Sequence, residues 1–275
     1  MAYQLVYQRT RLIFGPNEEI RDMKTIVNNL AIEYEDIGEG PVVLFLHGWK
    51  DDLHTFNELV RVFPAGFRLV RLDFPGFGGS ELPKEVWSTG EYAHFVEDFC
   101  QKVGVQPEIL VGHSFGGRVI IKGVAEGLFT PKKIVLIASA GLAKYKTFHA
   151  RFFLLAAKVG KIALFFFPRT VQERFRRRLY GMAGSGDYIH IHSGVLKETF
   201  LKAIQEDLSV AAKEIHIPTL LIWGERDVTT PIWDGRRLQR LIAHSRLEIL
   251  KGNGHFVHQE RPEEMAALIK TFLLQ

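Results

Sequence analysis

Ile109-Leu110-Val111-Gly112-His113-Ser114-Phe115-Gly116-Gly117 is the stretch that decides the fold. Three apolar residues run into a glycine, an apolar helical pattern follows over 115–127, and Ser114 stands at the join in a G-x-S-x-G pentapeptide. A strand that turns directly into a helix leaves no room for side chains beside the turn residue. Glycines therefore flank it, and its own backbone is forced into a sparsely populated conformation. The turn presents a hydroxyl at a helix N-terminus, where free N–H groups and the helix dipole favour negative charge. The bland alternative is an ordinary N-cap serine, but an N-cap needs neither the preceding strand nor the flanking glycines.

A serine hydroxyl is a weak nucleophile until a base takes its proton, and the base needs an acid to fix its tautomer. Two downstream loops offer both. Leu220-Leu221-Ile222-Trp223-Gly224-Glu225-Arg226-Asp227 places Asp227 just past a strand end, and Gly252-Asn253-Gly254-His255 places His255 past the last strand. The chain order of serine, acid and histidine matches this type of turn. Developing oxyanion charge needs two N–H donors. One is that of Phe115, and the other that of Trp49 in His47-Gly48-Trp49, where Gly48 allows the sharp turn.

The same alternation of strand and helix extends along the chain. Short Val-, Ile- and Leu-rich runs at 42–46, 67–72, 109–112, 133–138, 219–223 and 247–250 read as buried parallel strands, and 31–36 as an antiparallel edge strand. Helical patterns at 55–61, 91–103, 115–127, 232–241 and 262–274 separate them, which predicts an α/β fold built on a mostly parallel, doubly wound sheet. Between 138 and 219 the rhythm stops for about eighty residues, too long for a structureless loop. Helical patterns at 148–167, 171–180 and 195–212 make this interval a helical lid. The predicted division is a core of 1–140 and 213–275 with a lid insertion of 141–212.

Composition fits one large domain: 275 residues, 47% hydrophobic and 24% charged. Cys100 is the lone cysteine, so no internal disulfide is possible, and its helical neighbours make it a small core residue. No signal-peptide pattern and no uncharged run of membrane-spanning length is found, so the expected location is the cytoplasm. The net charge is +4, and its distribution is uneven. Residues 141–212 carry twelve Lys or Arg against five Asp or Glu, an excess of seven, which leaves the remainder at −3. No nucleic-acid motif accompanies that basic segment, so no nucleic-acid partner is expected.

With these pieces in view, the sequence resembles the lidded α/β-hydrolase superfamily, in particular its carboxylesterase, lactonase and carbon–carbon bond hydrolase branches. The matching stretches are HGW at 47–49, DFPGFGGS at 73–80, GHSFGG at 112–117, GERDVTTP at 224–231 and GHFVHQERP at 254–262. They run from the end of a strand to the C-terminal helix, so the resemblance spans nearly the whole chain outside the lid. The resemblance implies the α/β-hydrolase fold and a Ser114–His255–Asp227 triad, and it favours Asp227 over its neighbour Glu225. It disfavours the branches that use an aspartate nucleophile.

Other polar residues have plainer readings. Asp52 caps the helix that starts near His54, His47 and His113 hold loops by hydrogen bonds, and His258 is a surface or helix-start residue. Gly76, Gly78 and Gly79 make a tight turn, since Pro75 and the lack of a following Lys rule out a phosphate cradle. His190 and His192 form an H-x-H with no third ligand nearby, so no metal is expected, and the chemistry requires no cofactor. In the lid, Arg151, Lys158 and Lys161 share one helical face opposite an apolar face that includes Phe153 and Phe165. That apolar face would roof a substrate pocket, a reading favoured over membrane contact. The expected activity is hydrolysis of small-molecule carboxylic esters or lactones with Trp49, Phe153 and Phe165 lining the pocket. A carbon–carbon bond hydrolase and a non-catalytic ligand receptor are the alternatives, and oligomeric state is not encoded in any motif.

Overall fold

The computed structural model describes residues 23–143 and 194–275. Eight strands form one sheet: β1 (Met23–Val27), β2 (Leu30–Ile37), β3 (Val42–Leu46), β4 (Arg68–Leu72), β5 (Ile109–His113), β6 (Lys133–Ile137), β7 (Thr219–Gly224) and β8 (Ser245–Leu250). Their spatial order is β1-β2-β4-β3-β5-β6-β7-β8. β2 pairs antiparallel with both β1 and β4, and all later pairings are parallel.

The central strands are apolar throughout because both faces are covered. Along β3, Leu44 and Leu46 join one core while Val43 and Phe45 join the other. β6 repeats the division, with Ile134 and Leu136 on one face and Val135 and Ile137 on the other. This is the two-residue period of a strand expressed as two separate cores. The first core packs under the helices Thr89–Val103, Phe115–Ala125 and Ile232–Leu241, and the second under Asn57–Arg61 and Pro262–Leu273. Each buried aliphatic side chain contributes about 1.5–3 kcal/mol.

Helix boundaries follow local chemistry. Thr89–Val103 opens on a reciprocal capping box between Ser88 and Glu91 and closes on Gly104 in the left-handed region. Cys100 lies in its buried face, with the thiol pushed up to about 12 by desolvation, as a core residue should be.

Three expectations need correction. The strand expected at 31–36 is antiparallel, but it lies second in the sheet, because the unforeseen β1 takes the edge. The helix expected over 195–212 is two helices, Gly194–Gln205 and Ser209–Lys213. Asp207 breaks it by turning its carboxylate onto the Ser209 N–H at 3.1 Å and the Ser209 hydroxyl at 2.6 Å. His258 does stand at a helix start, in Val257–Glu260, but it is fully buried and not at the surface. The lid patterns at 148–167 and 171–180, with Phe153, Phe165, His190 and His192, lie outside the described residues.

The turn after β5 packs closely against neighbouring backbone. A Cβ on Gly116 would come 2.0 Å from the Leu46 carbonyl oxygen and 2.9 Å from that of His47, both backbone atoms of the adjacent strand and loop. Gly116→Ala is therefore expected to destabilise the protein by about 3 kcal/mol, the upper end of ordinary overpacking. Urea denaturation measures it, and a loss within about 0.5 kcal/mol, the range of an inert surface change, would contradict this packing.

Candidate active site

Parallel strands bring their C-terminal ends to one edge of the sheet, and four loops from that edge carry the candidate site residues. They follow β3 (His47 to Trp49), β5 (Ser114), β7 (Asp227) and β8 (His255).

Ser114 has φ 49° and ψ −106°, a conformation that L-residues rarely adopt. Its N–H still pairs with the Ile137 carbonyl of β6 at 3.0 Å. Its carbonyl accepts two bonds, from Ala140 N–H at 2.9 Å and Arg118 N–H at 3.2 Å. In a planar trans peptide the C=O and the next N–H point in opposite directions. Fixing the Ser114 carbonyl therefore aims the Phe115 N–H the other way, unpaired at the helix start.

The loop after β3 repeats the device. The Gly48 carbonyl accepts from Asp51 N–H at 3.3 Å and lies 2.7 Å from His47 Nδ1. His47 Nε2 accepts from Phe74 N–H at 2.9 Å, so the ring proton sits on Nδ1 and is donated to Gly48. Burial pushes the His47 pKa down to about 4, which keeps that tautomer fixed at neutral pH. With the Gly48 carbonyl held twice, the Trp49 N–H faces away from it. Neither the Trp49 nor the Phe115 N–H is consumed by a hydrogen bond to another described residue.

Asp227 and His255 are joined directly, Oδ2 to Nδ1 at 2.7 Å. The acid is fully buried as a side chain and accepts from every side. Its Oδ1 takes the N–H groups of Thr229 at 2.8 Å and Thr230 at 2.9 Å, and its Oδ2 takes His255 and faces the Thr230 hydroxyl at 2.8 Å, whose one proton is shared with the Ala138 carbonyl at 2.9 Å. Since a carboxylate only accepts, His255 carries its proton on Nδ1 and leaves Nε2 as a free base. The rival Glu225 instead accepts from Gly252 N–H at 3.0 Å. Among the described residues the Ser114 hydroxyl makes no hydrogen bond, a looseness common before substrate binds.

Other side chains support these groups. Thr230 is clamped from behind by Trp223, whose indole N–H donates to its carbonyl at 2.8 Å. Glu260 gathers the His255 loop, accepting from Asn253 Nδ2 at 2.8 Å and Gly254 N–H at 3.1 Å. His113 donates from Nε2 to the His255 carbonyl at 3.2 Å. His258 Nε2 lies 2.9 Å from the Thr55 hydroxyl. Burial, reinforced by neighbouring imidazoles, holds the His113 pKa well below the usual value and lowers that of His258 to about 3. Asp52 caps the short 3-10 helix Leu53–Phe56 as expected, accepting from His54 N–H. Asp73 closes the glycine turn by accepting from Gly79 N–H at 2.7 Å.

An aromatic wall stands beside the two free N–H groups. Trp49 contacts Phe77, Phe115 and Phe200 with ring centroids 4.8, 5.1 and 5.2 Å apart. Phe200, on Gly194–Gln205, was not singled out from sequence, because only the tertiary fold brings it onto Trp49. Of the expected pocket residues, Trp49 is on this wall, while Phe153 and Phe165 lie outside the described residues.

Comparison with known proteins agrees with this fold. A model described as "Alpha/beta hydrolase family" matches residues 43–268. The AB hydrolase superfamily protein YisY of Bacillus subtilis is 30% identical over 265 residues, 89% of this chain and 96% of that one. Human monoacylglycerol lipase ABHD6 is 30% identical over 261 residues, 86% of this chain and 76% of that one. Among solved structures, an esterase from Exiguobacterium antarcticum is similar in fold, with a TM-score of 0.71 at 20% identity, covering 93% of this chain and all of that one. Among the described residues no helix is long and apolar enough to cross a membrane.

The hydrogen bond from Thr230 gives a prediction about positioning. Thr230→Val removes the hydroxyl and keeps the backbone N–H, so Asp227 loses one charge-assisted bond of about 1.5–3 kcal/mol. The expected result is a kcat about tenfold or more lower with KM little changed and a shifted acid limb in the pH profile. Restored kcat in Thr230→Ser would assign the effect to the hydroxyl. An unaltered rate in Thr230→Val would remove Thr230 from the acid's support.

Proposed function

The chain belongs to the alpha/beta hydrolase family, and from that premise we propose that it is a serine hydrolase cleaving carboxylic esters through an acyl-enzyme. The observation that carries this reading is the pair of peptides at Gly48–Trp49 and Ser114–Phe115. Each has its carbonyl held by two donors and its N–H left free beside Ser114. Preorganised donors that meet charge only as it develops supply the largest single part of acyl-transfer catalysis, about 2.7–4 kcal/mol for each donor.

In this mechanism Ser114 Oγ attacks the ester carbonyl carbon while His255 Nε2 takes its proton. The tetrahedral oxyanion lies against the Trp49 and Phe115 N–H groups. Collapse breaks the bond to the alkoxide, which leaves with the proton from His255. A water then gives its proton to His255 and attacks the acyl carbon, and the proton returns to Ser114 as the acid departs. Asp227 orients His255 and stabilises its imidazolium in both halves.

The aromatic wall of Trp49, Phe77, Phe115 and Phe200 supports an apolar acyl or alcohol group. The similarity to a monoacylglycerol lipase supports the same class of ester. Lactones, as internal esters, fit the same steps. In this reading residues 141–212 cap the strand edge, with Phe153 and Phe165 in the roof and membrane contact not favoured.

Ser114→Ala should abolish ester turnover and labelling by a fluorophosphonate probe while the thermal transition is kept. Labelling that survives in the variant would move the nucleophile elsewhere. Asp227→Asn should fall by several orders of magnitude in kcat, about 10⁴ in the serine-protease precedent for this change, whereas Glu225→Gln should stay near wild type. The wall predicts that kcat/KM rises with p-nitrophenyl ester chain length, by at most about fourfold per methylene at 0.8 kcal/mol each, until the pocket fills. Phe200→Ala should flatten that series with acetate little affected. A series that is equally steep in the variant would detach Phe200 from the pocket.

A further inference from the structure

Asp51, His113 and His258 meet in the interior against the ring of His255. The His113 ring centroid lies 4.7 Å from that of His255 and 4.4 Å from that of His258. Asp51 Oδ2, His113 Nδ1 and His258 Nδ1 are all shielded from solvent, and none has a hydrogen-bond partner among the described residues. One ligand atom from each of the three falls within 4.8 Å of the others.

Following the protons identifies what these atoms are. His113 Nε2 faces the His255 carbonyl, which can only accept, so the proton is on Nε2 and Nδ1 keeps a lone pair. The Thr55 hydroxyl also faces the Asp51 carboxylate and favours its charged form, and since a carboxylate can only accept, we place the Thr55 proton there. Its oxygen then accepts from Gln259 Nε2 at 2.8 Å and from His258 Nε2 at 2.9 Å. His258 Nδ1 is therefore a lone pair as well. A carboxylate oxygen and two imidazole nitrogens, all acceptors, share one buried space with no donor among them.

Buried acceptors without a donor are costly. A water would serve two of the three, having only two protons, whereas a cation serves all three at once. Neutral imidazoles with a carboxylate suit zinc, and three protein ligands leave its fourth position for water. The outer contacts match as well, since metal-bound histidines donate their other ring N–H to a carbonyl or similar acceptor, as His113 and His258 do here. We propose that Asp51, His113 and His258 form a Zn²⁺ site beside His255. Zinc bonds of about 2.0–2.2 Å require ligand atoms nearer than 4.8 Å. The closing movement falls to Asp51, the partly exposed member of the three.

The test uses the whole protein, stripped with a chelator, exchanged into metal-free buffer and titrated with Zn²⁺ by calorimetry and equilibrium dialysis with elemental analysis. One equivalent should bind and raise Tm. Binding should be retained in His255→Ala, which separates the site from the triad, and in the double variant His190→Ala/His192→Ala, which separates it from the H-x-H. Affinity should fall at least tenfold in Asp51→Asn and in His258→Gln. If His258→Gln does not fold, the near-isosteric Asp51→Asn decides alone. The proposal is overturned if wild type takes up no stoichiometric Zn²⁺, which would leave a proton or a water in the space. An equivalent undiminished in Asp51→Asn, or one lost in the His255 or His190/His192 variants, overturns it equally.

Discussion

The carbonyl of Ser114 accepts from Ala140 and Arg118, and those two bonds hold the backbone in a region that costs about 1–3 kcal/mol. Release of either would let the turn relax, and the Phe115 N–H and the serine hydroxyl would both lose their aim. The donors come from different places. Arg118 N–H belongs to the first turn of the helix Phe115–Ala125, and Ala140 lies just past β6. The strain at one residue is thus maintained by the pairing of β5 with β6 and by the packing of the helix on both. The loop after β3 depends on a comparable arrangement, with a neutral buried histidine supplying one of the two donors.

Four histidines crowd this edge of the sheet, and their environments separate their work. His47, His113 and His258 are fully buried, and desolvation pushes their pKa values down. Their protons go to a carbonyl or stay beside a hydroxyl, which fixes the orientation of each ring. His255 alone has a carboxylate on Nδ1, and that carboxylate is itself saturated by three donors from Thr229 and Thr230. A residue type common to all four therefore takes on different chemistry according to where one proton is held.

The core strands were legible because burial on both faces writes continuous Val, Ile and Leu runs, as at Val42–Leu46 and Lys133–Ile137. The candidate residues Ser114, Asp227 and His255 could be picked out because each stands in the loop that follows such a run. β1 escaped notice because Met23–Val27 alternates weakly at an exposed edge and is defined by its register with β2, a property of two segments and not of one. The helix start at His258 was legible but its burial was not, because its partner, Thr55, is about two hundred residues away in the chain, across a contact that no periodicity encodes. Thr230, Glu260 and Phe200 belong to the same class. Each acts through a neighbour that only the folded sheet edge supplies.

The chain leaves β6 and returns to β7 through a narrow gate. Leu208 N–H donates to the Gly141 carbonyl at 2.8 Å, and the Asp207 carboxylate accepts from Ala143 N–H at 3.1 Å, so the outgoing and incoming strands of backbone are tied side by side. A segment whose two ends coincide adds almost nothing to the connectivity of the sheet that carries it. Loop-closure cost also grows only slowly with length. Evolution can therefore lengthen, shorten or replace what lies between those ends as a cassette, with Ser114, Asp227 and His255 left on an unchanged frame. Under the proposed function, substrate range can then diversify at a rate set by the cassette while the three side chains stay constant.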